Sequence, residues 1–359
     1  MPSSFNYIVV GAGSAGCVIA SRLSENPSIS VLLLEIGPPD SNPIIWDPGA
    51  LPALFNTERD FAYRTVPQAH TAGRTQIWPR GRTVGGSGSL NGMIYVRGSR
   101  TDYDSWAYDG CVGWDYESVV PYFKKSENSF YKSDSRRLGP DLHPLFMHIP
   151  YYAEGFRGPS NAWTLGAGMI RPASRGAIRL WSNDPSAPPL IDPQYLSEST
   201  DLDRLVEVVK MCREIGHHAA FDEWRLREVL PGSSRSSAAG LTDFVRQACA
   251  TYHHMVGTCR MGVAACCVVD PELRVYGIRG LRVADASVMP TVPSGNTNAP
   301  TIMIGEKAAA MIAAERALTR DRQKREVRFC YKEDQWLTRQ LIHRMAYGWR
   351  SFESILIVK

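Results

Sequence analysis

Three glycines and one acid near the start of the chain have the types and spacing to hold a dinucleotide. Gly11, Gly13 and Gly16 follow a short apolar run, and Glu35 ends the next one. In such a turn the first glycine permits a tight bend, the second lets the backbone approach a pyrophosphate, and the third lets helix and strand pack closely. The acid stands where a carboxylate would meet ribose hydroxyls. We therefore predict a dinucleotide site, because a purely structural glycine turn in another α/β protein would leave the acid unexplained.

The elements that must position this set form a βαβ unit over about residues 5–37. A strand ends at the first glycine, and a helix rich in small residues begins near Ser14 and Ala15. The start of that helix offers unpaired N–H groups and a positive dipole end to phosphates. The second strand ends at Glu35, which places the acid beside the glycine turn.

A second candidate site is the Gly- and Ser-rich block over residues 79–98, which two arginines, Arg80 and Arg82, enter. Such a run can turn several backbone N–H groups toward an anion. A flexible linker is the alternative, but the bulky residues on both sides, Trp78 and Met93 among them, argue against it.

Two blocks near the carboxyl end complete the candidate residues. One contains the pair His253–His254, and the other runs from a short strand at 281–284 to a helix that begins near residue 302. Taken alone, the histidines are equally compatible with a buried core position and with catalysis. The strand alone is ordinary.

Bulk properties narrow the class of protein. A length of 359 residues predicts two domains, and the net charge of +4 gives no reason to expect a nucleic-acid partner. The eight cysteines form no CxxC pair, so we predict reduced thiols and no metal site. No leader precedes the first strand, and the apolar runs are strand-sized, so we predict a cytoplasmic protein.

Periodicity predicts the remaining elements only coarsely. Alternating residues predict strands over 145–152, 163–170 and 176–180. Helical spacing predicts helices over 201–216, 241–250 and about 302–316.

Together the blocks resemble the glucose–methanol–choline (GMC) oxidoreductase family, in its choline and alcohol dehydrogenase-like branch. The resemblance runs from Tyr7 to about Glu315. It rests on four blocks, which are the glycine turn with its acid, residues 81–93, residues 254–262 and residues 285–306.

The resemblance implies an α/β fold: a Rossmann-like FAD-binding domain with a second, antiparallel-sheet substrate-binding domain. Residues 1–130 and 246–316 would form the FAD-binding domain. Residues 131–245 would form a shortened substrate-binding domain, and residues 317–359 a tail of uncertain structure.

The resemblance also implies the reaction, in which a CH–OH group of a small alcohol is oxidised and hydride passes to the flavin. His254 matches the active-site histidine and Asn296 its partner. A histidine suits the role of proton acceptor because its pKa is ordinarily near neutrality. The positions that match FAD contacts are Gly11, Gly13, Ser14, Ala15, Gly16, Glu35, Arg82, Val84, Gly86, Ser87, Asn91, Gly92, Met93, Asp285, Ala286, Asn298, Ala299 and Pro300.

Two further expectations follow from the resemblance. Some relatives carry a flavin-linked histidine at the position of Leu90, and leucine cannot form that bond, so we predict non-covalent FAD. The electron acceptor is expected to be oxygen or a quinone.

The chain departs from the family pattern in the middle. Family members carry a large segment after the counterpart of Glu127, and this chain lacks it. The loss predicts a sheet with an exposed edge, exposed apolar surface and an adenine pocket without one wall. The alternative function is therefore a truncated, catalytically impaired relative with weak or no FAD binding. An NAD(P) enzyme that uses the same glycine turn is a third reading, and the four blocks argue against it.

The tail is the second departure, since it is basic over 317–328 and carries scattered aromatic residues over 333–359. An amphipathic helix packed on the body, contact with a membrane surface or a partner, and foreign sequence from a shifted reading frame are all compatible with it.

Overall fold

The structure is a computed structural model that describes residues 4–47, 50–127, 142–184, 187–330 and 354–357. The strands in these ranges are β1 (Tyr7–Val10), β2 (Val31–Leu34), β3 (Tyr63–Arg64), β4 (Ile77–Trp78), β5 (Leu142–Met147), β6 (Thr164–Met169), β7 (Ala177–Arg179), β8 (Leu190–Asp192), β9 (Leu281–Val283) and β10 (Ser354–Ile357). The α-helices are α1 (Ser14–Ser24), α2 (Arg100–Tyr108), α3 (Tyr116–Ser126), α4 (Ser199–His217), α5 (Ala238–Ala248) and α6 (Asn298–Cys330).

A four-stranded parallel sheet, in the order β2-β1-β10-β9, lies at the centre of the part that carries the glycine turn. β1 and β2 pair in parallel from Tyr7 opposite Val31 to Val10 opposite Leu34, with α1 as the connection. The predicted strand–helix–strand order over residues 5–37 is therefore present. Because the strands run in one direction, the residues that follow each strand meet at one edge of the sheet.

β10 lies between β1 and β9 and pairs in parallel with both. The described sheet still ends at two outer strands, β2 and β9, so the predicted exposed edge stays a prediction. Ile355–Ile357 is an apolar, mostly β-branched run with the composition of a strand. The predicted exposure of apolar surface is seen on the outer strand β2, where Leu34 is 44% exposed.

Helices α1, α3 and α6 build the main core against this sheet. α1 and α6 approach so closely that a Cβ atom at Gly305 would lie 2.9 Å from the carbonyl oxygen of Ala15. The buried Glu306 carboxylate, also on α6, is paired with Arg22 of α1 at 2.7 Å and with Lys125 of α3 at 3.0 Å. α6 is therefore tied to both neighbouring helices.

Three two-stranded antiparallel sheets, β3-β4, β5-β6 and β7-β8, make up the rest of the described strands. A separate apolar cluster between α4 and α5 supports this part of the chain; its members are Leu196, Leu202, Val206, Val209, Leu241 and Val245. The helix predicted over 201–216 is confirmed as α4. The strand predicted over 145–152 was misplaced, since β5 ends at Met147.

The last helix is longer than predicted, because α6 continues from residue 316 to Cys330. No glycine or proline occurs between Gly305 and Cys330, so the sequence contains no signal that would end the helix near residue 316. The predicted junction after Glu127 falls in residues 128–141, outside the described residues. In the ranges that the structure describes, no helix is both long and apolar enough to cross a membrane.

Candidate active site

The glycine turn and its acid are joined directly. The Glu35 carboxylate accepts hydrogen bonds from the backbone N–H groups of Ala12 and Gly37, each at 2.8 Å. α1 begins after Gly13, which offers no side-chain cap, and its first turn, with Ser14, Ala15 and Gly16, contains no acid. The uncapped N–H groups of this turn are donors of the kind that bind a phosphate.

The Gly- and Ser-rich block packs onto the same turn. The backbone N–H of Gly85 donates to the carbonyl oxygen of Ala12 at 2.7 Å. Gly86 has a φ of +55°, and a Cβ atom there would lie only 2.8 Å from the Cα of Gly13. The close approach of two backbones requires glycine at this position.

The start of α6 reaches the turn from the other end of the chain. The Ser14 hydroxyl donates to the side-chain oxygen of Asn298 at 2.7 Å, and Ala299 and Pro300 follow in the buried first turn of α6. Three of the four blocks that the sequence singled out therefore meet at one point.

The other predicted cofactor residues lie around this point in different ways. Arg82 and Val84 are fixed through their backbone N–H groups, which donate to the carbonyl oxygens of Arg59 and Pro38. Within the block, Ser87 accepts from Gly81 N–H at 3.1 Å, and Asn91 accepts from Met93 N–H at 2.7 Å. Gly92 and Met93 are exposed.

Asp285 and Ala286 follow β9, at the same edge of the parallel sheet where Gly11 follows β1 and Glu35 follows β2. The buried Asp285 carboxylate accepts from the Ser287 N–H at 2.8 Å and so begins a short 3-10 turn. The histidine block attaches to that turn, because Cys259 N–H donates to the Ser287 carbonyl at 3.0 Å and Met261 N–H to the Val288 carbonyl at 2.9 Å.

His254 and Asn296 are in contact, with 3.2 Å between the imidazole Nε2 and the amide Nδ2. Because the amide NH₂ can only donate, the imidazole Nε2 accepts in this contact, which requires the tautomer without a proton on Nε2. The Tyr252 ring packs edge-on against the imidazole, with 5.3 Å between centroids. The two residues that the family resemblance paired are thus adjacent in the structure.

A cavity of about 1550 Å³ opens in front of this pair. Its walls include Trp78, Tyr195 and much of β6. The Trp78 indole N–H donates to the Tyr195 hydroxyl at 3.1 Å, and burial raises the pKa of Tyr195 to about 12. Desolvation in the cavity wall, together with the Arg80 guanidinium, lowers the pKa of His253 to about 4. Both side chains are therefore uncharged at neutral pH.

The loop that carries Asn296 is held by residues that the sequence did not single out. The buried Asp102 of α2 accepts from Ser294 and from Arg171, and the Trp106 indole donates to the Thr291 hydroxyl at 2.8 Å. The sequence signal at this place, Ser99 followed by Asp102, is typical of a helix start. It gives no indication of a contact with a loop almost 200 positions later.

The chain matches known proteins over most of its length. The family described as GMC oxidoreductase matches residues 5–161 with its amino-terminal part and residues 172–305 with its carboxy-terminal part. An alcohol dehydrogenase (acceptor) from Pseudomonas putida is 26% identical over 526 aligned positions, which cover 86% of this chain and 95% of that protein. An oxygen-dependent choline dehydrogenase from Brucella suis is 25% identical over 535 positions, which cover 89% and 97%.

Solved structures give the same result for the fold. A pyridoxine 4-oxidase from Mesorbium loti has a TM-score of 0.75 at 24% identity, covering 85% of this chain and 98% of that one. A formate oxidase also has a TM-score of 0.75, at 18% identity, covering 87% and 98%.

The alignments to the two dehydrogenases are longer than this 359-residue chain. Both ends of each relative align with this chain, so the unmatched residues of the relatives are internal. The prediction of a missing internal segment is therefore confirmed. With both parts of the family pattern present, the chain belongs to the GMC oxidoreductases, a family that acts on alcohols, and is an oxidoreductase whose cofactor is FAD.

Proposed function

We propose that the protein oxidises a CH–OH group of a small alcohol, with His254 as the proton acceptor and Asn296 as its partner. The observation that carries the proposal is the 3.2 Å contact between the two side chains at the wall of a cavity large enough for a small molecule. A neutral histidine beside an amide provides one proton acceptor and one fixed hydrogen-bonding group.

The residues present fit FAD. The uncapped start of α1 and the glycine cradle made by Gly13 and Gly86 would hold the pyrophosphate. Glu35 would meet the ribose hydroxyls. Residues 285–286 and 298–300 would lie along the rest of the cofactor, and Arg82, Val84, Ser87, Asn91, Gly92 and Met93 would line its other side. When bound, FAD supplies the ring that accepts hydride.

The chain's own residues have the tasks of binding, orientation and proton transfer. Asn296 would hold the substrate oxygen by a hydrogen bond, and His254 would take the hydroxyl proton. The aromatic and aliphatic cavity wall would exclude water from the reacting atoms. Residues 1–130 and 246–316 would form the Rossmann-like cofactor domain, and residues 131–245 the antiparallel substrate part.

FAD is proposed to be held without a covalent bond at Leu90. The Leu90 side chain is aliphatic and 5% exposed, in a small cluster with Ile45 and Leu54. Acid precipitation tests this: the yellow colour is expected in the supernatant, and colour that stays with the precipitated protein would contradict it. Oxygen or a quinone is the proposed electron acceptor, which parallel assays of oxygen uptake and quinone reduction would distinguish.

The second candidate function is a family relative with weak or no FAD binding, and the missing internal segment favours it. The visible spectrum of the purified protein, before and after FAD is added, separates the two. Bound-flavin absorbance is expected under the first proposal. A spectrum without it, even with excess FAD, would support the second.

The catalytic assignment is tested with a panel of primary alcohols, including choline and benzyl alcohol, and a dye as electron acceptor. His254→Ala is expected to lower kcat about 10²- to 10⁴-fold, the usual contribution of a general base. His253→Asn is the matched control, because asparagine tolerates the positive φ of His253 and the backbone N–H of His253 donates to the Thr251 hydroxyl at 3.0 Å rather than to Asn296. Full activity in His254→Ala would remove His254 from the assigned role.

A further inference from the structure

The carboxylate of Asp102 is the centre of a polar cluster beside the catalytic loop. Asp102 is 1% exposed, and it accepts from Ser99 N–H at 2.7 Å and from both the N–H and the hydroxyl of Ser294 at 2.8 Å. The Arg171 guanidinium, from the segment after β6, pairs with the same carboxylate and also donates to the Ser294 hydroxyl at 3.0 Å. A buried carboxylate needs such partners, because burying it without them is costly.

Ser294 lies two residues before Asn296, so this cluster fixes the backbone that carries the amide. A second anchor is the Trp106 indole, which donates to the Thr291 hydroxyl at 2.8 Å. On the far side of Asn296, the start of α6 is tied to Ser14 through Asn298. The amide therefore sits on a short loop with fixed ends.

We propose that Asp102 is a positioning residue, which sets the Asn296 amide against the His254 imidazole by holding Ser294. This inference rests on the proposed role of the His254–Asn296 pair. Asp102 reaches the reaction only through the loop, so the inference predicts changes at His254 even when substrate is absent. Because Arg171 joins the cluster from the cavity wall, the same carboxylate also connects the loop to the part of the chain that surrounds the substrate.

Asp102→Asn is the sharpest perturbation, because one carboxylate oxygen becomes an NH₂ group that faces donors. Ser294→Ala is the second variant. It removes only a hydroxyl group, so it serves as the test if Asp102→Asn fails to fold. Asp104→Asn is the matched control, since Asp104 lies on the same helix and its carboxylate accepts from the Tyr116 N–H at 2.9 Å, away from the loop.

The first measurement needs no substrate. The ¹⁵N chemical shifts of the His254 imidazole are recorded on the full chain with FAD added, and His254→Ala assigns the signals among the eight histidines. Asn296→Ala defines the shift that follows loss of the amide. Asp102→Asn and Ser294→Ala are expected to move the His254 signals in the same direction, and Asp104→Asn is expected to leave them in place.

The second measurement uses whichever alcohol of the panel is turned over. Asp102→Asn is expected to lower kcat about tenfold with little change in KM, and to have no further effect when Asn296 is already alanine, because residues that act through one contact are not additive. Additive losses would mean a purely structural role and would overturn the inference. So would unchanged His254 signals in both Asp102→Asn and Ser294→Ala.

The two proposals fail in different ways. If Asn296→Ala keeps full activity, the proposed function loses its catalytic pair whatever Asp102 does. If Asn296→Ala loses activity while Asp102→Asn and Ser294→Ala match the unaltered protein in kcat and in His254 shifts, only the positioning role is wrong.

Discussion

Replacing Gly86 by alanine tests whether the Gly- and Ser-rich block shapes the phosphate-binding turn. The new Cβ would lie 2.8 Å from the Cα of Gly13, whereas carbon atoms in contact prefer about 3.5–4.0 Å. The two backbones must therefore separate by roughly 1 Å, and the turn has little freedom because Gly85 N–H is bonded to the Ala12 carbonyl. Gly73→Ala is the matched control, with a φ of +69° and open space around the new methyl group.

The two substitutions share one energetic cost and differ in another. Alanine at a left-handed φ costs about 1–2 kcal/mol at either position. Gly86→Ala adds the cost of overpacking, about 1–3 kcal/mol. If the displaced turn loses one charge-assisted hydrogen bond to a phosphate, about 1.5–3 kcal/mol of binding energy disappears, which corresponds to roughly a ten- to hundredfold weaker FAD affinity.

The assay measures FAD affinity by flavin fluorescence and the free energy of unfolding by urea titration, for both variants and the unaltered chain. Gly73→Ala is expected to lose stability alone. Gly86→Ala is expected to lose more stability and also FAD affinity. If Gly86→Ala binds FAD as tightly as Gly73→Ala does, the contact with Gly13 does not shape the cofactor site, and the reasoning is refuted.

Two further predictions concern the packing that supports the site. Burial raises the pKa of Glu306, but the hydrogen bonds from Arg22 and Lys125 have the larger effect and leave the pKa below its usual value. A carboxylate whose pKa is lowered in the folded state stabilises the protein at neutral pH, and this stabilisation is lost as the pH falls through that lowered pKa. Urea titrations between pH 7 and pH 3 should therefore give Glu306→Gln a free energy of unfolding about 1.5–3 kcal/mol lower than that of the unaltered chain at pH 7. This difference should shrink as the pH falls, and a difference that stays constant would contradict the role of the ion pairs. The second prediction is that Leu356→Pro lowers the thermal midpoint, because proline lacks the N–H that a strand paired on both sides requires. Leu356→Val, which keeps the N–H, is the control, and an equal midpoint in the two variants would mean that the pairing of β10 adds no stability.

Local patterns in the sequence were sufficient where neighbouring residues decide the structure. The turn over Gly11–Gly16 was placed correctly because spacing of glycines and apolar residues defines a strand–helix–strand unit. α4 was placed correctly because its apolar residues recur at helical spacing. In both cases the information lies within about thirty consecutive residues.

Pairings between distant residues could not be read in this way. The contact of Asp102 with Ser294 spans 192 positions, and nothing near either residue specifies the partner. The position of β10 between β1 and β9 is equally non-local, since parallel pairing depends on the whole sheet. The His254–Asn296 pair was anticipated only through the family resemblance, because histidines alone left catalysis and core packing equally open.

The described contacts bear directly on whether loss of the internal segment disables the site. Those contacts join residues before 128 to residues after 245: Ser14 to Asn298, Arg22 to Glu306 and Asp102 to Ser294. None of them needs the segment that relatives possess. We therefore expect the segment's absence to weaken FAD binding at the adenine end while the His254–Asn296 geometry persists. A chain with poor flavin affinity but an intact histidine–asparagine contact by NMR would fit this expectation, whereas loss of that contact in the FAD-free protein would show that the two retained parts do not assemble by themselves.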